Sequence, residues 1–291
     1  MVIKLNKLCT FVVACIAITV SFIFAMNSEK TSINTNSAPT VKLPIIMYHH
    51  ITENAKKSGA YTVTAKEFED DLEYIKKEGF TPVNVKNLTD YVYAGIPLPQ
   101  NPIMITFDDG FESFYTIAYP LLKNYNFKAV ISVIGSASDK YSNIDDHNIN
   151  YSNLTWEEIK AMSDSGYIEI QNHTYDLHGN KENSRKGMLA HKSESYDEYR
   201  NILTQDLLKL QFLIKEKVGT EADAIAYPFG AYTKSTTEIV KDLGFRCSFT
   251  CEERVNLISV GDIDSLFELG RFNRQSGIKS KDFFSEMLKD D

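Results

Sequence analysis

Ile103–Gly110 reads IMITFDDG, an apolar run that ends in two aspartates and a glycine. The apolar run predicts a β-strand, and the acids after it stand at the strand's carboxyl end. In a parallel sheet flanked by helices, ligands bind at the carboxyl ends of the strands. This stretch therefore indicates both a fold class and the position of a functional site.

Strand patterns and helix patterns alternate on both sides of this stretch. Upstream, Pro44–His49 predicts a strand, and a capping box at Thr64–Glu67 begins a helix that ends at Gly79. Downstream, the predicted elements are a helix at Tyr115–Tyr125, a strand at Ala129–Ile134, a helix from Thr155, a strand at Tyr167–Asn172, a helix at Tyr196–Val218, a strand at Ala224–Tyr227, a helix at Lys234–Leu243 and a strand at Phe245–Thr250. Repeated alternation predicts parallel βα units in a single α/β domain over residues 43–289.

The composition excludes several classes of protein. The chain has 291 residues, of which 43% are hydrophobic and 12% aromatic, so it can build a large core. Its formal net charge is −8, whereas nucleic-acid binding requires clustered Lys and Arg. Disordered proteins and nucleic-acid-binding proteins are therefore excluded.

The N-terminal residues differ from the rest of the chain. Residues 1–26 carry Lys4 and Lys7 followed by the uncharged apolar run Leu8–Met26, which is the pattern of an export signal. The run also has the length of a transmembrane helix of ~20 residues, so a cleaved signal peptide and a signal anchor in the membrane both remain open. Residues 27–42 are polar and aperiodic, which predicts a tether. In either case the remaining chain is expected to be secreted or held at the outer face of the membrane.

The exported part contains Cys247 and Cys251. They lie in a predicted strand, where four residues span ~13 Å. A disulfide tolerates ~7 Å between Cα atoms. Both cysteines are therefore expected to be small apolar residues rather than a disulfide.

Asp108 and Asp109 are the first candidate site residues. A turn assisted by Gly110 can bring both carboxylates to one site, although neighbouring strand residues point in opposite directions. Two adjacent acids repel each other, which favours a bound cation or one raised pKa. The alternative is a pair of solvated acids in a turn or at a helix N-terminus.

Histidines follow a second predicted strand. His173 and His178 lie in NHTYDLH, directly after the strand that ends at Asn172. They can share a ligand only across a strand-to-loop turn, because neither helix nor strand geometry places them on one side. Two imidazoles with a carboxylate suit zinc and similar divalent ions, and leave a position open for water.

Two weaker signals lie at the ends of other strands. His49 could face the same rim as a proton donor, although a packed histidine is the ordinary alternative. Tyr227–Gly230 (YPFG) interrupts a strand and can expose a backbone N–H that stabilises an oxyanion, although such a sequence usually marks only a turn.

TFDDG at Thr106–Gly110, followed by His173-Thr174 and His178, resembles the polysaccharide deacetylase family (carbohydrate esterase family 4, the NodB-homology domain). The likeness covers about Leu43–Gly277. It implies a distorted (β/α)7 barrel. It also implies that Asp108 is the general base and that Asp109, His173 and His178 are ligands of a divalent metal. Zinc is the metal expected first, and cobalt, nickel and iron are the alternatives.

LPIIMYHHI at Leu43–Ile51 and the spacing of the two later histidines resemble one branch in particular, the poly-β-1,6-N-acetylglucosamine de-N-acetylases. That resemblance implies that His49 is the general acid, and no histidine after His191 competes for this role. The family's Arg-x-Pro-Tyr element has Ala226 in place of its arginine, which orients the base. Arg271 is the candidate replacement.

The resemblance implies a metal-dependent hydrolase that removes N-acetyl groups from N-acetylglucosamine units of a bacterial extracellular or cell-wall polysaccharide. The Phe229 N–H is expected at the oxyanion, with Tyr227 and Tyr175 also at the substrate. Tyr175 and Tyr232 are the aromatic residues near the rim that are expected to stack on sugars. A monomer is expected. An O-acetyl polysaccharide esterase and an inactive carbohydrate-binding protein of the cell surface remain alternatives.

Overall fold

The computed structural model describes residues 40–179 and 185–289. The export segment expected at residues 1–26, and residues 27–39 of the expected tether, lie outside these ranges. Thr40–Leu43 forms a strand, so residues 40–42, which the sequence analysis assigned to the tether, are part of the folded structure. Within the described ranges, no helix is both long enough and apolar enough to cross a membrane.

Parallel strands form the centre of the molecule. The strands are β1 Thr40–Leu43, β2 Ile45–Tyr48, β3 His50–Thr52, β4 Thr62–Thr64, β5 Thr81–Val83, β6 Pro102–Phe107, β7 Ala129–Val133, β8 Ile168–Asn172, β9 Ala224–Ala226, β10 Cys247–Phe249, β11 Asn256–Ser259 and β12 Phe272–Asn273. Eight of them form one sheet in the order β10-β9-β8-β7-β6-β2-β12, with β5 beside β6, and every pair in it is parallel. β1 and β11 pair antiparallel in a separate ribbon.

Helices follow most of these strands. They are α1 Ala65–Lys77, α2 Val85–Ala94, α3 Tyr119–Tyr125, α4 Gly135–Ile144, α5 Trp156–Asp164, α6 Tyr196–Lys217, α7 Lys234–Asp242 and α8 Ser280–Met287. A π-helical turn at Phe114–Ala118 leads into α3. The α/β class and the parallel βα units predicted from the sequence are confirmed.

Capping explains where several of these helices begin. Thr64 and Thr155 form the capping boxes that the sequence predicts, with Glu67 and Glu158 as their partners. α2 was not predicted, because its capping box pairs Asn84 with a second asparagine instead of Glu or Gln. α4 was also missed, because it begins at a glycine and is rich in serine, which are weak helix formers.

The segment Leu269–Asn273 spans the gap between the two edges of the sheet. At one edge the Leu269 N–H donates to Ser248 O, at 2.8 Å. At the other edge Phe272–Asn273 pairs with β2. This closing segment completes an irregular barrel, in agreement with the distorted (β/α)7 barrel expected from the sequence.

Central strands of the sheet are buried on both faces. Every residue of β2, β6 and β7 is buried. Cys247 lies in the core with 0% exposure, Cys251 is exposed, and both are free thiols, as expected. A rigid, doubly covered sheet holds the residues at its carboxyl edge in fixed positions.

Candidate active site

A cleft of about 890 Å³ lies at the carboxyl ends of the parallel strands. The residues predicted for the site that line it are His49, Asp108, Asp109, His173, His178 and Phe229. Lining residues that were not predicted include Lys57, Tyr61, Phe111, Asn150 and Lys186. The structure therefore brings the ends of β6 and β8 together at one cleft.

A left-handed turn brings both carboxylates to the cleft. Asp109 and Gly110 have φ angles of 70° and 69°. A Cβ on Gly110 would lie 3.3 Å from Val133 Cγ1, and a side chain is also strained at that φ, so glycine is required there. Asn153 Nδ2 donates to the Asp109 carbonyl at 2.8 Å and holds the turn. A non-glycine residue at positive φ stores strain of the kind found at functional sites.

Arg271 pairs with Asp108 in the barrel interior. Its Nη1 and Nη2 donate to the two carboxylate oxygens at 2.8 Å and 2.7 Å, and its Nε donates to Thr250 O at 2.9 Å. The arginine is 0% exposed and the aspartate 2%. The structure thus places Arg271, the candidate for the missing arginine, on the closing segment and in a bidentate pair with Asp108.

Asp109, His173 and His178 converge at the wall of the cleft. Asp109 Oδ1 lies 3.3 Å from His173 Nε2 and 3.2 Å from His178 Nε2. The carboxylate oxygen is buried and accepts no hydrogen bond of good geometry. His173 Nδ1 lies 2.9 Å from Ala226 O, which can only accept, so Nδ1 carries a proton, and in the neutral imidazole the lone pair of Nε2 faces the carboxylate. Two atoms with lone pairs that face each other fit a cation between them. One carboxylate and two imidazoles are ligands that suit a divalent metal ion.

A sharp turn brings the two histidines together after β8. Thr174 has a φ of 70°, and its N–H donates to Asn172 Oδ1 at 2.7 Å. The next two N–H groups donate to the Asp206 carboxylate of α6, at 2.7 Å and 2.8 Å. The imidazole centroids therefore lie 5.0 Å apart, as the expected strand-to-loop turn requires.

Charge in the site favours ionised carboxylates. Burial raises the pKa of Asp108, but the Arg271 guanidinium and His173 outweigh it and hold that pKa below its usual range. Burial likewise raises the pKa of Asp109, and the two histidines more than reverse this. Asp108 is thus a carboxylate at neutral pH, which is the form that can accept a proton.

His49 lies between β2 and β3 and lines the same cleft. Its ring packs edge-on against the ring of Tyr61 at 5.0 Å, and its buried Nδ1 has no hydrogen-bond partner. Burial lowers its pKa, and the nearby carboxylates of Asp108 and Asp109 offset this only in part. A half-buried imidazole that lines the cleft and has a ring nitrogen without a partner fits a group that exchanges a proton with a substrate.

The lowered pKa of His49 predicts a pH dependence of stability. Below the ordinary histidine pKa of about 6.5, the unfolded chain takes up a proton that the folded state resists, so this residue destabilises the fold as the pH falls. For metal-free protein, the decrease in the free energy of urea unfolding between pH 7 and pH 5 should therefore be smaller in His49→Gln than in the wild type. Equal or larger decreases in the variant would show that burial does not lower this pKa.

The side chains of Tyr227 and Tyr175 do not lie where the sequence analysis expected them, beside a sugar in the cleft. Tyr227 is 0% exposed, and its hydroxyl donates to Thr237 Oγ1, so it packs in the core away from the cleft. Tyr175 is half-buried, donates to Asp139 Oδ2 at 3.0 Å, and has the Lys209 ammonium 3.4 Å from its ring centroid. Neither residue lines the cleft. Tyr227 packs in a core cluster with residues of α6 and α7, and Tyr175 contacts α4 and α6.

Phe229 does lie at the site. Its ring is 39% exposed and its centroid is 4.5 Å from that of His178. It has a φ of 60°, which turns the chain sharply after β9. Among the backbone hydrogen bonds of the described chain, none involves the Phe229 N–H, so this donor is free for a ligand.

A second buried ion pair supports the site and was not predicted. Arg274 Nε and Nη2 donate to Asp71 at 2.8 Å and 3.1 Å, and the Tyr48 hydroxyl donates to the same carboxylate at 2.8 Å. Asp71 and Arg274 are almost fully buried, at 0% and 1% exposure. The pair ties the closing segment to α1 just after Arg271. The one signal in the sequence was a lone acid on the apolar face of α1, between Phe68 and Ile75.

The family described as polysaccharide deacetylase has a model that matches residues 95–248, a little over half of the chain. This chain belongs to the polysaccharide deacetylase family. The match contains the Asp108-Asp109 turn and the loop with both histidines. His49 and Arg271 lie outside the match, so their place in the site rests on the structure of this family member.

Curated relatives carry the name poly-beta-1,6-N-acetyl-D-glucosamine N-deacetylase. The one from Escherichia coli K12 is 24% identical over 238 residues, which cover 76% of this deacetylase-family chain and 35% of the relative. The one from Staphylococcus aureus MSSA476 is 27% identical over 203 residues, which cover 69% and 65%. The chain thus spans about a third of the E. coli relative. The resemblance stated from the motifs is confirmed.

A solved structure titled IcaB from Ammonifex degensii is also similar. It superposes with a TM-score of 0.67 at 26% identity, covering 84% of this family member and 95% of that chain. The α/β barrel is therefore the fold shared with this structure.

Proposed function

We propose that this protein is a metal-dependent hydrolase that removes N-acetyl groups from N-acetylglucosamine units of a bacterial extracellular polysaccharide. One observation carries the proposal: a carboxylate and two imidazoles that fit a divalent cation lie beside a buried, arginine-paired carboxylate and face an unpartnered histidine across one cleft. The relatives named above act on poly-β-1,6-N-acetyl-D-glucosamine by their names, which makes this polymer the first substrate to test.

Asp109, His173 and His178 would hold the divalent cation. Zinc is our first choice, because it favours imidazole and carboxylate ligands, and cobalt, nickel and iron accept the same ligand set. When bound, such an ion supplies Lewis-acid chemistry, namely polarisation of a carbonyl oxygen and a lowered pKa of water. The hydrogen bond from His173 Nδ1 to Ala226 O fixes the tautomer that leaves Nε2 free as a ligand.

Asp108 would be the general base. Its carboxylate is ionised, and although each oxygen accepts from Arg271, each has a second lone pair for the proton of the attacking water. The guanidinium fork fixes the carboxylate plane, so the accepting oxygen does not rotate away. Arg271 is in this sense a positioning residue, which acts through Asp108.

His49 and Phe229 would serve the later steps. The tetrahedral oxyanion that forms when water attacks the acetyl carbon would accept a hydrogen bond from the free Phe229 N–H. His49 would donate its proton to the departing nitrogen, a step that an amide requires because an amide anion is a poor leaving group. The products are acetate and a glucosamine unit with a free amine.

The exposed rings of the cleft suit a sugar polymer. Tyr61 is 62% exposed and lies beside His49, while Phe229 is 39% exposed and lies beside His178. Aromatic faces on both sides of the reacting group can pack against pyranose rings. Tyr61 thus takes the role expected from the sequence for Tyr175 and Tyr227. The proposed location is the outer face of the membrane or the extracellular medium, and a monomer suffices, because all proposed groups come from one chain.

A comparison of acetyl linkages tests the reaction type. We expect acetate and primary amine to be released from poly-β-1,6-N-acetylglucosamine, and much less acetate from O-acetylated xylan. Preferential release from the xylan would identify an O-acetyl esterase instead. Binding of the glucosamine polymer without release of acetate, whichever divalent metal is added, would indicate an inactive carbohydrate-binding protein.

A further inference from the structure

A second group of carboxylates and an imidazole lies outside the cleft. Glu112, His147 and Glu158 each offer one ligand atom, and these atoms all lie within 4.8 Å of one another. Glu112 follows the turn that carries Asp109, Glu158 lies in the first turn of α5, and His147 lies in the loop between α4 and α5. None of these three residues lines the cleft.

Glu112 is buried, and no lysine or arginine of the described chain lies beside it to neutralise its charge. The residue is 1% exposed, and its Oε2 accepts no hydrogen bond and lies 3.5 Å from His147 Nδ1. Burial and the neighbouring Glu158 carboxylate raise the pKa of Glu112 well above its usual range. Among residues 40–179 and 185–289, neither glutamate forms an ion pair with a lysine or arginine. Two neighbouring buried carboxylates without such a partner fit a cation.

The other two residues point their free atoms at the same place. Glu158 Oε2 is engaged in its capping box with Thr155, which leaves Oε1 at 2.9 Å from His147 Nδ1. His147 Nε2 lies 3.0 Å from Asp145 Oδ1. In the neutral imidazole with its proton on Nε2, that N–H donates to Asp145 and the lone pair of Nδ1 faces the two glutamates. This repeats, with the ring nitrogens exchanged, the arrangement of His173 at the first site.

We propose that Glu112, His147 and Glu158 bind a second divalent cation, which is structural rather than catalytic. Two carboxylates with one imidazole suit Zn²⁺ or Mn²⁺ better than Mg²⁺, which prefers oxygen ligands alone. His147 has a side chain 45% exposed, so the ion can enter from solvent.

The position of this cation links it to the active site. The segment after Asp109 pairs with residues 152–154, through the Glu112 N–H to Ser152 O at 2.9 Å and the Leu154 N–H to Gly110 O at 2.8 Å. Between these two residues, Asn153 holds the Asp109 carbonyl. A cation shared by Glu112, His147 and Glu158 clamps the loop to the strand end that carries both catalytic-site aspartates.

Metal content tests the proposal directly. The full chain is equilibrated by dialysis against Zn²⁺ alone, and bound zinc per chain is measured by inductively coupled plasma mass spectrometry. We expect two ions in the wild type, one in His147→Asn, one in Asp109→Asn/His173→Ala and none in the triple variant. His191→Asn, which changes another loop histidine, should keep two.

Two results would overturn the second site. They are two bound ions in both His147→Asn and the isosteric Glu112→Gln, or no ion in Asp109→Asn/His173→Ala. If the wild type binds one ion and Asp109→Asn/His173→Ala binds none, the only metal site is the one in the cleft. The proposed function would then stand, and protons alone would neutralise Glu112 and Glu158.

Hydrogen exchange tests the clamp. In Asp109→Asn/His173→Ala, Zn²⁺ should slow the exchange of the Glu112 and Leu154 amides, and the addition of His147→Asn should remove this effect. Equal exchange with and without Zn²⁺ in the double variant would rule out the clamp, because the ion would then not hold the loop to the strand end.

Discussion

Asp108→Asn is expected to lower kcat by about 10²–10⁴ fold. Asparagine has the shape of aspartate, and its side-chain oxygen still accepts a hydrogen bond from Arg271. The amide cannot take the proton of the attacking water, however, so the general base is lost. Metal binding should remain, since Asp108 is not among the three grouped ligands. The measurement is the rate of acetate release from poly-β-1,6-N-acetylglucosamine, together with the zinc content of the same samples.

Arg271→Lys provides the matched comparison. Lysine keeps the positive charge but loses the bidentate fork, so the Asp108 carboxylate is neutralised but no longer held in one plane. We expect its kcat to lie between those of the wild type and Asp108→Asn, with little change in KM. Wild-type kcat in Asp108→Asn with full zinc content would exclude Asp108 as the base.

Arg274→Met is expected to destabilise the fold by about 3–5 kcal/mol, because it leaves Asp71 as an uncompensated charge in the core. Urea unfolding at pH 7 measures this loss. Lys160→Met breaks the exposed pair with Asp164 on α5 and should cost no more than about 1 kcal/mol.

A second variant separates charge from packing at the same place. Asp71→Leu combined with Arg274→Met removes both charges, so it should recover part of the stability lost in the single variant. A single variant as stable as Lys160→Met would show that the pair does not anchor the closing segment to α1.

Local sequence patterns were sufficient for six strands of the central sheet and for the polar side chains that follow two of them, whereas β1, β3, β4, β5, β11 and β12 were not predicted. IMITFDDG contains a strand, its end and two site residues in one continuous stretch, and NHTYDLH does the same after β8. Each of these signals needs only neighbouring residues, because side chains at the end of a parallel strand face the ligand edge of the sheet.

Long-range partners could not be derived from such patterns. Arg271 meets Asp108 from 163 residues away in sequence, and Arg274 meets Asp71 from 203 residues away. The family resemblance showed that an arginine was missing beside the proposed base, which made Arg271 a candidate. No sequence pattern indicated the pair of Asp71 and Arg274.

The exposure of aromatic residues was also beyond the sequence. Tyr175 comes shortly after β8, and Tyr61 comes directly before β4. Contacts with α4 and α6 cover Tyr175, whereas Tyr61 is 62% exposed. Which tyrosine meets the sugar depends on where the long helix α6 packs, and that is a property of the assembled fold.

Acetate release from poly-β-1,6-N-acetylglucosamine, measured before and after removal of metal by chelation, tests the central claim most directly. The account predicts acetate and free amine in equal amounts, loss of both on chelation, recovery on addition of Zn²⁺ to the wild type and no recovery in His173→Ala. Undiminished acetate release from a metal-free chain, or full activity in His173→Ala, would contradict it.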